Sequence, residues 1–273
     1  MDRDYWVHDL DPFLIRFTED FGIRYYGLAY VLSFLIAFGL LALYYKKGRS
    51  PLNPDQQSNA LFAIIIGVLA GGRIGYVLFY DLGTFVQDPL FLFKVWEGGM
   101  ASHGGFLGGI VGLLWVARSQ RMGFLRVADI FATLAPPGLM LGRIANFING
   151  ELWGRVTDVS WAVIFPASQP GAPVEEIPPR HPSQLYEAAL EGGLLVVYLQ
   201  LRFWKSDVTR VHPGQLSGEF LLLYSAARIF CEFFREPDAD LILGMTRGIF
   251  FSLFLAMTGL AVIVYARKRP ADG

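Results

Sequence analysis

Gly142-Arg143-Ile144-Ala145-Asn146-Phe147-Ile148-Asn149-Gly150-Glu151-Leu152-Trp153-Gly154 follows directly on an apolar run, Ile130 to Met140. An arginine, two asparagines and a glutamate therefore sit at or near the end of a helix apolar enough to lie in a membrane. Insertion scales put an arginine at the centre of such a helix at roughly 2.5–3.5 kcal/mol. A chain keeps such groups where they face a cavity or a partner. At helical spacing Arg143, Asn146 and Gly150 share one face. A fixed cation beside an amide suits an anionic phosphate and its ester oxygens. The competing reading is a helix end where the arginine snorkels and the asparagines cap. Four polar groups with Gly142, Gly150 and Gly154 in one short block weigh against it.

The surrounding chain has the composition of a membrane protein. Of its 273 residues 53% are hydrophobic and 15% aromatic, and mean hydropathy is +0.41. Only 17% are charged, against about 25% in soluble domains. The whole chain, 1–273, reads as one integral membrane domain. A net charge of −1 with no basic tail gives no sign of a nucleic-acid partner. The single cysteine, Cys231, excludes an internal disulfide and a cysteine metal site, and reads as a small apolar filler. The acidic start, with Asp2, Asp4, Asp9 and Asp11, lacks the basic region of a cleavable signal peptide.

Seven apolar segments approach the length needed to cross a hydrocarbon core of ~30 Å. They lie near 25–45, 60–80, 103–118, 128–148, 184–202, 216–234 and 247–266. The predicted class is an all-α polytopic membrane protein with seven transmembrane helices. Basic residues mark alternate connections: Lys46, Lys47 and Arg49; Arg118, Arg121 and Arg126; Arg202, Lys205 and Arg210; Arg267, Lys268 and Arg269. Those ends are expected to be cytoplasmic, with the N-terminus outside and the C-terminus inside. The 81–102 connection, with Trp96 and Glu97, is expected to lie along the interface. Residues 150–183 carry six prolines and a possible short strand at 160–165, and are expected to form a small periplasmic cap. No internal repeat of the kind found in many transporters is visible.

Polar residues crowd the predicted outer ends of these helices. Tyr25 and Tyr26 open the first; Tyr25 reads as an interface residue. Arg73 sits deep in the second, within Gly71-Gly72-Arg73-Ile74-Gly75, and either pairs an acid such as Glu97 or contacts phosphate. His103 opens the third between paired glycines that leave open space around the ring. Its ordinary pKa near 6.5 suits proton transfer near neutral pH. Ser183 reads as the N-cap of the fifth helix, with Gln184, Tyr186 and Glu187 in its first turn. The sixth presents Tyr224, Arg228, Glu232 and Arg235 along one face, either as an internal salt-bridge network, as part of a site, or as both. No metalloprotease, nucleophile-elbow or phosphate-loop motif is present, and no metal or cofactor is implied.

The 142–154 block fits, at every fixed position, the signature Gly-Arg-x-x-Asn-Phe-x-Asn-x-Glu-x-x-Gly of the prolipoprotein diacylglyceryl transferases. Gly98-Gly99-Met100 with His103-Gly104-Gly105, His181-Pro182-Ser183-Gln184 with Tyr186-Glu187, and Arg228 with Glu232-Phe233-Phe234-Arg235 and Pro237-Asp238 resemble further blocks of that family. The resemblance spans nearly the whole chain. It departs at Ile249, where the family usually has Gln after the glycine.

The resemblance implies a bacterial inner-membrane enzyme with its active site toward the periplasm. It would move the diacylglyceryl group of phosphatidylglycerol to the lipobox cysteine thiol of a prolipoprotein signal peptide and release glycerol 1-phosphate. In the implied roles His103 takes the thiol proton, and Arg143 and Arg228 bind and stabilise the phosphate. Tyr26, Asn146 and Asn149 position the headgroup, Glu151 and Glu232 orient the arginines, and Gly154 gives the backbone room. Arg73, Gln184 and Tyr224 are further candidates for substrate contact. The alternatives are a small-molecule transporter and a lipid-binding scaffold. The first needs polar residues through to the cytoplasmic side, where this chain is mostly apolar. The second has less use for a histidine beside two arginines.

Overall fold

Helices dominate, and polar punctuation decides where they begin and break. The computed structural model describes residues 5–19, 21–94, 98–237 and 240–268, with only the backbone at Ser102 and His103. The fold divides into two units, residues 1–37 with 131–273, and residues 38–130. In chain order the main elements are β1 (Trp6–Val7), β2 (Phe13–Arg16), β3 (Gly22–Arg24), α1 (Tyr25–Lys46), α2 (Pro54–Tyr80), α3 (Leu82–Gln87), α4 (Ser102–Ser119), α5 (Phe124–Ala132), α6 (Ala135–Ile148), β4 (Val163–Ile164), α7 (Ser183–Glu187), α8 (Leu195–Lys205), α9 (Val208–Val211), α10 (Gln215–Glu232) and α11 (Arg247–Lys268).

The 38–130 unit is organised by α2 and α4. The helix predicted from residue 60 starts at Pro54 instead. Asn53 Oδ1 accepts from the Gln56 amide at 2.9 Å, and Gln56 Oε1 accepts from the Asn53 amide at 2.9 Å. This capping box with proline at the first helical position extends α2 beyond its apolar run. Gly67, Gly71 and Gly75 recur every fourth residue on α2, and Gly104, Gly108 and Gly112 do so on α4. The two stripes face each other. A Cβ on Gly75 would stand 2.8 Å from the Gly104 Cα, and one on Gly112 would stand 2.8 Å from the Ala63 carbonyl. Small residues let the backbones meet, which is how helices associate where lipid removes the hydrophobic drive.

In the other unit the stretch predicted as one helix over 128–148 enters as α6, separated from α5. Pro136 and Pro137 occupy the first turn of α6, and the residue before a proline is disfavoured in helix. The helix predicted over 184–202 is continuous from α7 to α8 but widens into a π-helix at Ala188–Leu194. At the far end of that run Arg202 grips Glu219 through Nε at 3.0 Å and Nη2 at 2.8 Å. Gln215 donates to Glu219 at 2.8 Å. Arg267 Nε donates to Gln215 at 3.4 Å. These bonds fasten α8, α10 and α11 together.

The 150–183 segment is held by strands rather than by helices. β4 lies inside the predicted 160–165 strand and pairs in parallel with β1, so Trp6 and Val7 join the 150–183 segment. His8 Nε2 lies 2.7 Å from the Phe147 carbonyl and ties β1 to the end of α6.

Among the described residues three helices, α1, α2 and α11, are long and apolar enough to cross a membrane, or four if α5 and α6 count as one broken span. The protein is mostly helical and has the apolar helices of a membrane protein. α10 carries Glu219, Arg228 and Glu232 within its eighteen residues, so composition alone does not mark it as a span.

Candidate active site

Three elements of one unit bring the site together. Arg143 comes from the third turn of α6, Glu187 and Glu191 from α7 and the π-helix, and Arg228 and Glu232 from α10. Gly192 makes the approach possible. A Cβ there would lie 2.6 Å from the Met140 Cα and 2.8 Å from its nitrogen, so only glycine lets the π-helix touch the α6 backbone. Met140 is one turn before Arg143, and the contact delivers Glu191 to that guanidinium. The π-helix makes its own contribution, since widened turns re-aim side chains and are common at functional sites.

The result is a network of three arginines and three glutamates. Arg143 Nε lies 3.0 Å from Glu187 Oε2, and its Nη2 lies 3.4 Å from Glu191 Oε2. Arg228 Nη1 reaches Glu187 Oε1 at 2.5 Å and Glu191 Oε1 at 3.4 Å, while its Nη2 holds Glu232 at 2.5 Å. Arg235 Nη1 adds a third guanidinium to Glu187 at 3.1 Å. The formal charges cancel, but their exposure does not. The Glu187 and Glu191 side chains are fully buried, whereas Arg143 and Arg228 keep 19% and 13% of theirs exposed. The acids are sealed in while the cations stay partly exposed. Nη1 of Arg143 takes no acceptor among the described residues and is not walled in. Such a face attracts an anion while its buried acids fix the guanidiniums in place.

A polar nest adjoins Arg143 in sequence at the end of α6. Asn146 and Asn149 donate to Glu151 Oε1 at 2.7 and 3.4 Å. Gln184 donates to the Glu151 carbonyl at 2.7 Å. The amide oxygens of Asn149 and Gln184 are buried without a protein donor. Buried acceptors of this kind ordinarily have a partner, and a hydroxyl-bearing ligand or water supplies one. Glu151 therefore organises amides and touches none of the arginines among the described residues, unlike the orienting role the sequence suggested. Glu232 does hold an arginine. Gly154 threads between two segments of the chain: its amide donates to the His181 carbonyl at 2.9 Å, and a Cβ would meet the His181 and Phe234 carbonyls at 2.5 Å.

The remaining candidates are placed as follows. Tyr224, one turn before Arg228, lies within electrostatic reach of Glu191, Arg228 and Arg143. Tyr26 sits in the first turn of α1 with its ring 5.3 Å from that of Tyr30. Cys231 is fully buried. Gly248, just before Ile249, packs directly on the Glu232 carboxylate, and the Ile249 amide is capped by Thr246 Oγ1 at 3.2 Å. The His103 backbone lies in α4, and its side chain is outside the described residues.

Arg73 belongs to the other unit and is occupied by backbone. Its guanidinium donates to the carbonyls of Phe91 at 2.5 Å, Leu92 at 3.1 Å, Lys94 at 3.0 Å and Gly99 at 3.2 Å, and also to that of Gly98. It is 3% exposed. Phosphate contact, one of its two sequence readings, has no free donor to use. Its other reading, a pair with Glu97, falls outside the described residues.

Sequence reasoning missed Glu191. The signal was there: a glutamate four residues after Glu187, inside an apolar run and just before two glycines.

A family model described as prolipoprotein diacylglyceryl transferase matches residues 12–265. The phosphatidylglycerol–prolipoprotein diacylglyceryl transferase of Pseudoalteromonas atlantica is 45% identical over 267 residues, covering 95% of this chain and 90% of that protein. The protein of the same name from Idiomarina loihiensis is 44% identical, with 99% of each chain covered. That from Aeromonas hydrophila is 44% identical over 97% of this chain and 94% of its own. Taken with the residues that build the site, these matches place the chain in the prolipoprotein diacylglyceryl transferase family.

Proposed function

We propose that this protein transfers the diacylglyceryl group of phosphatidylglycerol to the lipobox cysteine thiol of a prolipoprotein; its relatives are named phosphatidylglycerol–prolipoprotein diacylglyceryl transferases. The observation that carries the reading is the pair of arginines, Arg143 and Arg228, fixed by the same two buried glutamates while their own side chains stay partly exposed. In the reaction the thiol sulfur forms a bond to the glyceryl carbon as that carbon's bond to the phosphate oxygen breaks. The electron pair leaves on the phosphate, and glycerol 1-phosphate is released with one more negative charge than the diester carried. Arg143 and Arg228 meet that charge as it develops, and a donor so placed is worth about 10²–10³ in rate. His103 is the proposed acceptor of the thiol proton. Asn146, Asn149 and Gln184 surround the headgroup, and the two unpartnered amide oxygens accept from its glycerol hydroxyls. Tyr26 and Tyr224 complete the lipid contacts.

The proposed setting is a bacterial inner membrane crossed by seven helices, α1, α2, α4, the α5–α6 pair, the α7–α8 run, α10 and α11. The N-terminus and the 150–183 cap are on the periplasmic side and the C-terminus in the cytoplasm. Support comes from the basic residues at alternate helix ends and from the ion network lying at the opposite end of α10 from the Arg202–Glu219 fastening. The deciding experiment incubates purified protein with phosphatidylglycerol and a lipobox peptide and measures the peptide's mass. A gain of one diacylglyceryl group on the cysteine is expected. An unchanged peptide, with flux of a solute across liposomes instead, would sink the assignment.

A further inference from the structure

The hairpin ahead of α1 is unused by the transfer chemistry. β2 and β3 pair antiparallel, with Phe13 opposite Arg24, Ile15 opposite Ile23 and Arg16 opposite Gly22, and the register shifts between Phe13 and Ile15. The guanidiniums of Arg16 and Arg24 both lie over the Phe13 ring, at 4.4 and 4.6 Å. Arg16 is held by Asp11 at 2.8 Å, while Arg24 has no carboxylate among the described residues. Leu14, Ile15, Phe17, Phe21 and Ile23 are each between 43% and 67% exposed. At the turn the rings of Phe17 and Phe21 lie 5.8 Å apart. A two-stranded hairpin is marginal by itself in water, and so dense a set of exposed apolar side chains marks a contact surface.

The position of the hairpin selects the partner. Arg24 is followed without a linker by α1, which is long and apolar enough to span a membrane. The Tyr25 amide donates to the Pro12 carbonyl at 3.0 Å and pins the hairpin's base to the first turn of that helix. The hairpin therefore stands at the boundary where α1 leaves hydrocarbon. Aromatic and aliphatic side chains beside an arginine with no carboxylate partner among the described residues match acyl chains beside anionic headgroups.

We propose that the Phe13–Arg24 hairpin is an anionic-lipid docking element. Its apolar side chains enter the membrane surface at the start of α1, and Arg24 takes lipid phosphate there. The claim goes beyond the proposed transfer, and its test needs no turnover.

The test places a nitroxide at Phe17→Cys in the full-length protein reconstituted in vesicles. Cys231 is fully buried, and labelled protein without the substitution controls for it. In vesicles containing phosphatidylglycerol, oxygen should relax the label more strongly than a water-soluble nickel complex does. In phosphatidylcholine alone the label should lie shallower, and Arg24→Gln should erase that difference. A second label at Ile15→Cys repeats the measurement on the paired strand. Stronger relaxation by nickel would mean a hairpin in water, and protection from both agents would mean one packed on protein; either overturns the proposal. Equal depth in both vesicle types would overturn the anionic preference.

Discussion

Glu187 meets Arg228 at 2.5 Å with no exposed surface of its own. The same carboxylate takes Arg143 at 3.0 Å and Arg235 at 3.1 Å, so one buried acid anchors three cations, one from α6 and two from α10 and the residues just after it. Removing one member of a buried ion pair costs roughly 3–5 kcal/mol, because the partner stays buried and unpaired. Glu187→Gln keeps the shape and removes the charge. It should lower the thermal unfolding temperature of the purified protein and abolish transfer. Glu191→Gln, whose contacts are both 3.4 Å, should be milder on both measures. Equal stability of Glu187→Gln and parent would show that the three arginines do not depend on this hub.

Arg143 spends Nε and Nη2 on the two glutamates and leaves Nη1 for a ligand. Lysine offers one compact ammonium in place of a planar fork. Arg143→Lys should therefore preserve most of the fold but reduce kcat by about 10²–10³, the loss expected for one transition-state donor. Steady-state kinetics with phosphatidylglycerol and a lipobox peptide checks this. A fall in kcat and kcat/KM together places the contact in the transition state, while a rise in KM alone would make Arg143 a simple binding group.

Residues such as these were legible because charge inside an apolar run stands out. Arg143, Arg228 and Glu232 stand out that way. Glu191 was passed over because its two partners come from α6 and α10, distant in sequence. Arg73 stayed ambiguous because its true acceptors are backbone carbonyls, which every residue has and no sequence pattern distinguishes. The role implied for Glu151, orienting an arginine, does not fit its place beyond the helix end, after Gly150 at φ +63°. That turn directs it back to Asn146. The N-terminal hairpin was hidden within an acidic stretch, since its strands are three and four residues long.

Arg73 gives a prediction opposite in kind to that for Arg143. It satisfies the carbonyls of Phe91, Leu92, Lys94, Gly98 and Gly99 just before α4 begins. Hydrogen bonds to a charged group contribute about 1.5–3 kcal/mol each before overlap between them. Arg73→Gln should be strongly destabilising, and Arg73→Lys should recover only part of the loss. In whatever fraction stays folded, KM for phosphatidylglycerol should be unchanged. A selective rise in that KM at normal stability would restore Arg73 to the phosphate site.

His181 provides a pH test of the 150–183 segment. Its ring lies between those of Tyr186 and Phe234, at 5.8 and 5.2 Å. Trp161 Nε1 donates to the Tyr186 hydroxyl at 2.6 Å, which leaves the phenol proton for His181 Nδ1 at 3.1 Å. Burial holds the His181 pKa below its ordinary value. With the folded pKa depressed, the unfolded chain binds the proton first as pH falls through about 6.5. The stabilisation is therefore complete above that pH and is lost below it, until the folded protein also protonates. Asp11, held low chiefly by the Phe13 amide and then by Arg16, loses its contribution only in a separate window, near and below pH 4. Unfolding temperatures measured between pH 7.5 and 5.5 should fall in the parent and fall less steeply in His181→Gln, whatever the variant's stability at pH 7.5. An identical slope in the two proteins would mean that the histidine titrates alike in the folded and unfolded states.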